Sequence, residues 1–211
     1  MSDSFSIDGI NIQWLGHASF KIKTNEKVIY IDPYILKDAE KADLILITHD
    51  HYDHCDAEKI RMIKKENTKI FAPESCSGKI PEGFEPVGQS DTKVLDGIKI
   101  QTIPSYNIGK SFHPKGRGVG FVIEINEKKI YHAGDTDKIP EMKSLSDIDV
   151  ALLPVGGTYT MNAQEAAEAA KAIKPKIAIP MHWGSIVGSR KDAEDFAELL
   201  KDSGIDVKIL G

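Results

Sequence analysis

Thr48-His49-Asp50-His51-Tyr52-Asp53-His54 follows directly on the apolar run Leu44-Ile45-Leu46-Ile47. A short leucine and β-branched run bounded by polar residues predicts a buried strand. The spacing H-x-H-x-D-H then sets three of the chain's seven histidines where that strand ends and a loop begins. Rigid scaffolds present chemistry at such points. With an extended backbone, His49 and His51 share one face, because the strand period is two, and both can chelate one ion. A turn at Asp53 and His54 would aim those side chains at a second position. Imidazoles with a carboxylate suit zinc, and also iron, nickel or manganese. The bland alternative is a solvated, histidine-rich loop, against which the density of the tract argues.

The chain has 211 residues, enough for a sizeable core, and residues 1–211 read as one domain. Hydrophobic residues make up 41% and charged residues 28%, an ordinary globular composition. A net charge of −5 disfavours a nucleic-acid binder that works by bulk charge. No apolar run approaches the roughly 20 residues of a membrane span. Met1-Ser2-Asp3-Ser4-Phe5 lacks the basic start and apolar core of a signal peptide. Cys55 and Cys76 are the only cysteines, and a reduced, cytoplasmic protein is the simplest expectation. Cys55 adjoins His54, but a small buried thiol is its expected role.

The segments 10–15, 19–23 and 27–31 predict strands, the last two joined by a turn at Asn25-Glu26. His17, between the first two, reads as a structural histidine. Asp32-Pro33 ends the third strand, and Asp32 is placed either to support the histidine loop as an acceptor or to serve as an ordinary turn residue. Residues 56–67 read as a helix with Ile60, Ile63 and Met62 on its apolar face, followed by a strand at 69–72. Residues 73–90 read as loop. Asp96-Gly97 predicts a hairpin between strands 92–95 and 98–103. A glycine-rich loop then carries Asn107, Lys110, His113, Lys115 and Arg117. Its cations could meet an anionic substrate or simply face water.

Strands at 119–125 and 129–132 precede Ala133-Gly134-Asp135, where the acidic residue is placed either as a metal ligand or as a turn former. His132 reads as structural. A strand at 150–155 leads to Asn162 and Glu165, a capping pair opening a helix that ends before Pro175. A strand at 176–179 delivers His182, a helix spans 192–201, and a strand spans 205–210. No internal repeat is visible.

Candidate ligands thus follow strand after strand, and with them the chain resembles the metallo-β-lactamase superfamily. The shared features are Asp32 at a strand end, the H-x-H-x-D-H loop, Gly134-Asp135-Thr136 and the late His182. Trp14-Leu15-Gly16-His17-Ala18, Tyr131-His132-Ala133 and 154–161 (PVGGTYTM) are similar to the branch of ascorbate-6-phosphate lactonase and N-acyl-phosphatidylethanolamine phospholipase D. The resemblance implies an α/β fold, an αββα sandwich of two mixed β-sheets flanked by helices, with two divalent ions (Zn, Mn, Ni or Fe) at one rim. It implies His49, His51 and a further residue, His113 or Asn107, around the first ion. Asp53, His54 and His182 would hold the second, and Asp135 would bridge the pair.

The implied chemistry is hydrolysis of a small anionic phosphoester or lactone by a water acidified between the ions. Asp53 would act as the proton-handling group, and Lys110, Arg117 or Tyr159 would contact the substrate. Two other readings stand beside it. One is a di-iron redox protein, disfavoured because His51 stands where that branch carries glutamate. The other is a non-catalytic metal-binding protein with an incomplete first site. Assembly of identical copies is open.

Overall fold

A computed structural model describes residues 3–80 and 83–211 of the chain. The first half runs β1 (Ser4–Ile7), β2 (Ile10–Gly16), β3 (Ser19–Lys23), β4 (Val28–Ile31), β5 (Leu44–Leu46), α1 (Ala57–Ile63), β6 (Lys69–Ala72) and β7 (Glu85–Pro86). The second runs β8 (Thr92–Leu95), β9 (Ile98–Ser105), β10 (Gly118–Ile125), β11 (Lys128–His132), β12 (Val150–Pro154), α2 (Ala163–Ile173), β13 (Ile177–Met181), α3 (Arg190–Leu200) and β14 (Asp206–Val207).

The strands form two seven-stranded mixed sheets, one ordered β1 to β7 and the other β14 to β8. Strict alternation builds the sandwich. Ile29 and Ile31 of β4 and Leu44 and Leu46 of β5 join the core cluster between the sheets. Their neighbours Val28, Tyr30 and Ile45 point the other way and pack with Ile60 and Ile63 of α1. Ala166, Ala170, Ala193 and Phe196 of α2 and α3 extend the main core over the second sheet. The result is the αββα sandwich of the metallo-β-lactamase fold.

Several boundaries differ from the sequence expectations. The first helix is short, because Lys64 turns extended (ψ 140°) and Lys65 N–H donates to Thr68 Oγ1 at 2.8 Å. Met62 is 42% exposed and lies off the buried face. β9 runs on to Ser105 and β13 to Met181, each including a proline. Pro180 is tolerated because β14 pairs only with Ile177 and Ala178, so no neighbour on that side needs its N–H.

The two halves also repeat one another, which the sequence does not reveal. In each, four antiparallel strands lead into three parallel ones. Asp43 accepts from Val28 N–H at 2.9 Å and Lys65 Nζ at 2.6 Å. Asp149 accepts from Lys129 N–H at 2.9 Å and Lys176 Nζ at 2.8 Å, at the equivalent parallel pairing. A shared backbone pattern needs few identical side chains, so the repeat is structural before it is textual.

Candidate metal centre

The candidate ligands arrive from both sheets. β5 delivers Thr48 to His54, β11 delivers Asp135 and β13 delivers His182. His182 (φ 60°), Asp32 (φ 46°) and His17 (φ 53°) all hold left-handed backbone conformations. For non-glycine residues this conformation is costly and gathers at functional sites.

Among the described residues, three groups of donor atoms gather within 4.8 Å of one another: His49, His51 and His113; His17, Asp53, His54 and His182; and His49, His54 and Asp135. Asp135 connects them. Its Oδ2 lies 3.2 Å from His113 Nε2 and 3.0 Å from His182 Nε2, and its Oδ1 lies 3.4 Å from His54 Nε2.

The hydrogen bonds behind the ligands orient the imidazoles. Asp32 accepts from Thr48 N at 2.8 Å and Thr48 Oγ1 at 2.7 Å, and its Oδ2 lies 2.7 Å from His54 Nδ1. Thr48 spends its hydroxyl proton on Asp32, so its lone pair is free to accept His49 Nδ1–H at 3.0 Å. His113 Nδ1–H donates to Asn107 Oδ1 at 3.1 Å. Each of these histidines therefore aims its Nε2 towards the others, the arrangement a cation requires. His49 Nε2, His54 Nε2, His113 Nε2, His182 Nε2 and Asp135 Oδ1 are all buried with no hydrogen-bond partner. Leaving buried polar atoms unpaired costs about 1–3 kcal/mol each, and a bound ion would satisfy them together.

The electrostatics differ between the donors. Burial, then the neighbouring His54, holds His49 well below the usual histidine range, as a neutral ligand must be. Burial opposes charge on His54 too, but Asp135 and Asp32 outweigh it and raise that group well above its ordinary value, so without an ion His54 holds a proton that a binding cation must displace. Burial disfavours the Asp135 carboxylate, yet His182, His54 and His113 hold its pKa well below the normal range.

His113 meets His49 and His51, while Asn107 stands behind it. The Asn107 amide also donates to Asp137 Oδ1 at 3.1 Å and Tyr159 O at 2.9 Å. Lys110 Nζ is engaged by Asp137 Oδ1 and Thr160 O, both at 2.8 Å. Arg117 borders the centre with His49, His51 and Ser105, its Nη2 3.4 Å from Asp50 Oδ2. Tyr159 borders an adjoining cleft with His51, Asp53 and His182. His132 lies apart, with Nε2 2.9 Å from Ala18 O.

The residue that sequence reasoning passed over is His17. It is fully buried, its Nε2 is 2.9 Å from Asp53 Oδ2, and its ring centroid is 3.9 Å from that of His182. Its carbonyl accepts from Trp14 Nε1 and from His182 N, both at 2.8 Å. The signal was the histidine after Gly16; its partners lie far along the chain.

A family model described as "Beta-lactamase superfamily domain" matches residues 11–182. A UPF0173 metal-dependent hydrolase of Thermoplasma acidophilum is 38% identical, over 96% of this chain and 96% of its own. Igni18, a metallo hydrolase of Ignicoccus hospitalis, superposes with a TM-score of 0.80 at 28% identity, covering 95% of this chain and 94% of its own. A crystal structure from Parabacteroides distasonis superposes with a TM-score of 0.89 at 37% identity, covering 100% and 98%. The match over most of the chain and the shared fold make one conclusion: this chain belongs to the β-lactamase superfamily and, within it, to the UPF0173 metal-dependent hydrolase family.

Proposed function

We propose that the chain is a binuclear metal-dependent hydrolase acting on a small anionic phosphoester or lactone-type substrate. The observation that carries this is the convergence of unpartnered Nε2 atoms on Asp135. His49, His51 and His113 would hold one divalent ion; Asp53, His54 and His182 would hold the other; Asp135 would reach both. The mixed histidine and carboxylate set suits Zn or Mn, with Ni and Fe also compatible. When bound, such ions acidify water towards neutrality and polarise an electrophilic oxygen.

The chain's own groups then have distinct tasks. Asp53 borders the open cleft, and its carboxylate is steadied by His17. Burial works against its charge, but His17 and His54 keep it ionised to lower pH than a free aspartate. It can orient the attacking water, take its proton and return that proton to the leaving group. Arg117 borders the cleft and can meet an anionic substrate, and Tyr159 offers a hydroxyl. Lys110, with its ammonium engaged twice, contributes by holding Asp137 behind Asn107.

The placing of His113 with His49 and His51 supports two complete donor sets over a non-catalytic protein with a defective first site. One apolar cluster running from Ile10 to Leu210 supports a single domain. The free thiols of Cys55 and Cys76 fit a reducing, cytoplasmic compartment. The segments around Trp14 and Pro154 support the finer kinship with the phospholipase D and lactonase branch.

The test is turnover of bis-p-nitrophenyl phosphate and a small lactone panel after chelation and after return of Mn, Zn, Ni or Fe, with ions counted per chain. Two ions and restored turnover are expected. Two ions without turnover on any substrate would argue for a binding role, and a single ion would refute the binuclear reading.

A further inference from the structure

The centre opens onto two adjoining clefts of different character. One, of about 250 Å³, is bordered by Asp50, Ser105, Ser111 and Arg117. The other, of about 260 Å³, is walled by Tyr52, Phe112, Tyr159 and Ile186. His51, Phe112, His113 and Asp135 border both, so the donor atoms lie at the junction, with the Phe112 ring beside them.

The second cleft is unusual for its exposed apolar surface. Tyr52 is 66% exposed, Phe112 45% and Ile186 38%. Single exposed apolar side chains are ordinary, but a group of them around one concavity marks a binding surface. The wall is also ordered. Phe112 stands edge-on to Tyr159 at 4.8 Å between ring centroids, and the Tyr159 carbonyl accepts from Asn107, the residue that aims His113. Tyr52 is similarly braced edge-on by Tyr34 at 6.0 Å. An apolar wall tied to the residues that set the ligands is placed to hold one part of a substrate while the centre engages another.

We propose that the cleft of Tyr52, Phe112, Tyr159 and Ile186 is a subsite for an aryl or short alkyl arm, which makes the preferred substrate an amphiphilic anion. The electrophilic group sits over the donors, the polar end faces Arg117, and the apolar arm lies against Phe112 and Ile186. This rests on the hydrolase reading for the reaction but not for the binding. Hydrolysis of such a phosphodiester breaks the bond from phosphorus to the leaving oxygen and forms one to the water oxygen. One proton of the water passes to the leaving group.

Binding and turnover are therefore measured separately. Methyl-, butyl- and hexylphosphonate, whose carbon–phosphorus bonds resist hydrolysis, are titrated calorimetrically into the metal-loaded protein. Affinity should rise up to about fourfold per methylene that the cleft buries. Phe112→Ser and Ile186→Ser should flatten that dependence, and Phe112→Leu should keep most of it. Affinity independent of chain length in the wild type, or a dependence undiminished in both serine variants, overturns the proposal. So does sedimentation showing that the serine variants dissolve a dimer, since the apolar wall would then be an interface between copies. Turnover of methyl and hexyl p-nitrophenyl phosphate tests the reaction in parallel. A phosphonate series that behaves as expected without metal-dependent turnover would uphold the subsite and remove the hydrolase reading.

Discussion

Replacing Asn107 with alanine strips four hydrogen bonds from a buried amide. Its Oδ1 accepts from His113 N at 3.0 Å and Nδ1 at 3.1 Å, and its Nδ2 donates to Asp137 Oδ1 at 3.1 Å and Tyr159 O at 2.9 Å. Asn107 is only 8% exposed, so water replaces these partners incompletely. At about 1 kcal/mol net for each bond, with some relaxation, the metal-free protein should lose about 2–4 kcal/mol of folding stability. Freed of its acceptor, His113 can rotate or change tautomer, and loss of such an outer partner typically weakens a metal site about 10–100-fold. Urea denaturation of the chelated protein reads the first effect, and calorimetric metal titration reads the second. His113→Ala should go further and leave one tightly held ion. The reasoning is refuted if Asn107→Ala binds both ions as tightly as wild type. It is refuted equally if Asn107→Ala loses an ion outright while His113→Ala keeps both, because Asn107 would then be the ligand.

Other substitutions probe the same architecture. His17→Ala removes the partner of Asp53 Oδ2 and should weaken the second ion by about 10–100-fold; unchanged affinity in a metal titration would reduce His17 to packing. Gly156→Ala would set a Cβ 2.3 Å from the His182 carbonyl oxygen, so thermal denaturation should show a loss of about 1–3 kcal/mol, and an unshifted midpoint would contradict the close approach. Asp149→Asn should cost about 1–2 kcal/mol at neutral pH through weakened bonds to Lys129 N–H and Lys176. Burial raises the Asp149 carboxyl, but Lys176 and the Lys129 N–H outweigh it and hold it below the usual value. Its stabilisation is complete above about pH 4, the unfolded pKa, and is lost as pH falls through the lower native one. The gap between wild type and Asp149→Asn should therefore narrow below about pH 4, and a constant gap down to about pH 2 would refute the assignment.

Much of this protein was legible in one dimension. The alternation of Val28, Ile29, Tyr30 and Ile31, and of Leu44 to Ile47, prescribes two-faced strands because successive side chains must point oppositely. The turn at Asp96-Gly97 and the capping box of Asn162 and Glu165 are local chemistry, and both appear where the pattern placed them. His49, His51, Asp53 and His54 are identified as candidate ligands by type and spacing alone, since four donors in one strand-end loop are already neighbours.

What lay beyond the sequence depends on contacts between distant positions. Asn107 and His113 are chemically plausible in the same role, and only the packing of the loop beneath Asp137 and Tyr159 turns one towards the histidines and the other behind it. His17 shows locally only as the histidine after Gly16, and nothing beside it in the chain names its partners. It meets Asp53, 36 residues away, because β2 and β5 belong to one sheet, and His182 because the second sheet packs against the first. Which donor atoms exist, and which strands end in them, can be read along the chain, since those are matters of side-chain chemistry and backbone period. The tertiary structure decided which donors converge, which way each imidazole turns and how apolar the entrance is, because these follow from how two sheets pack around a shared core.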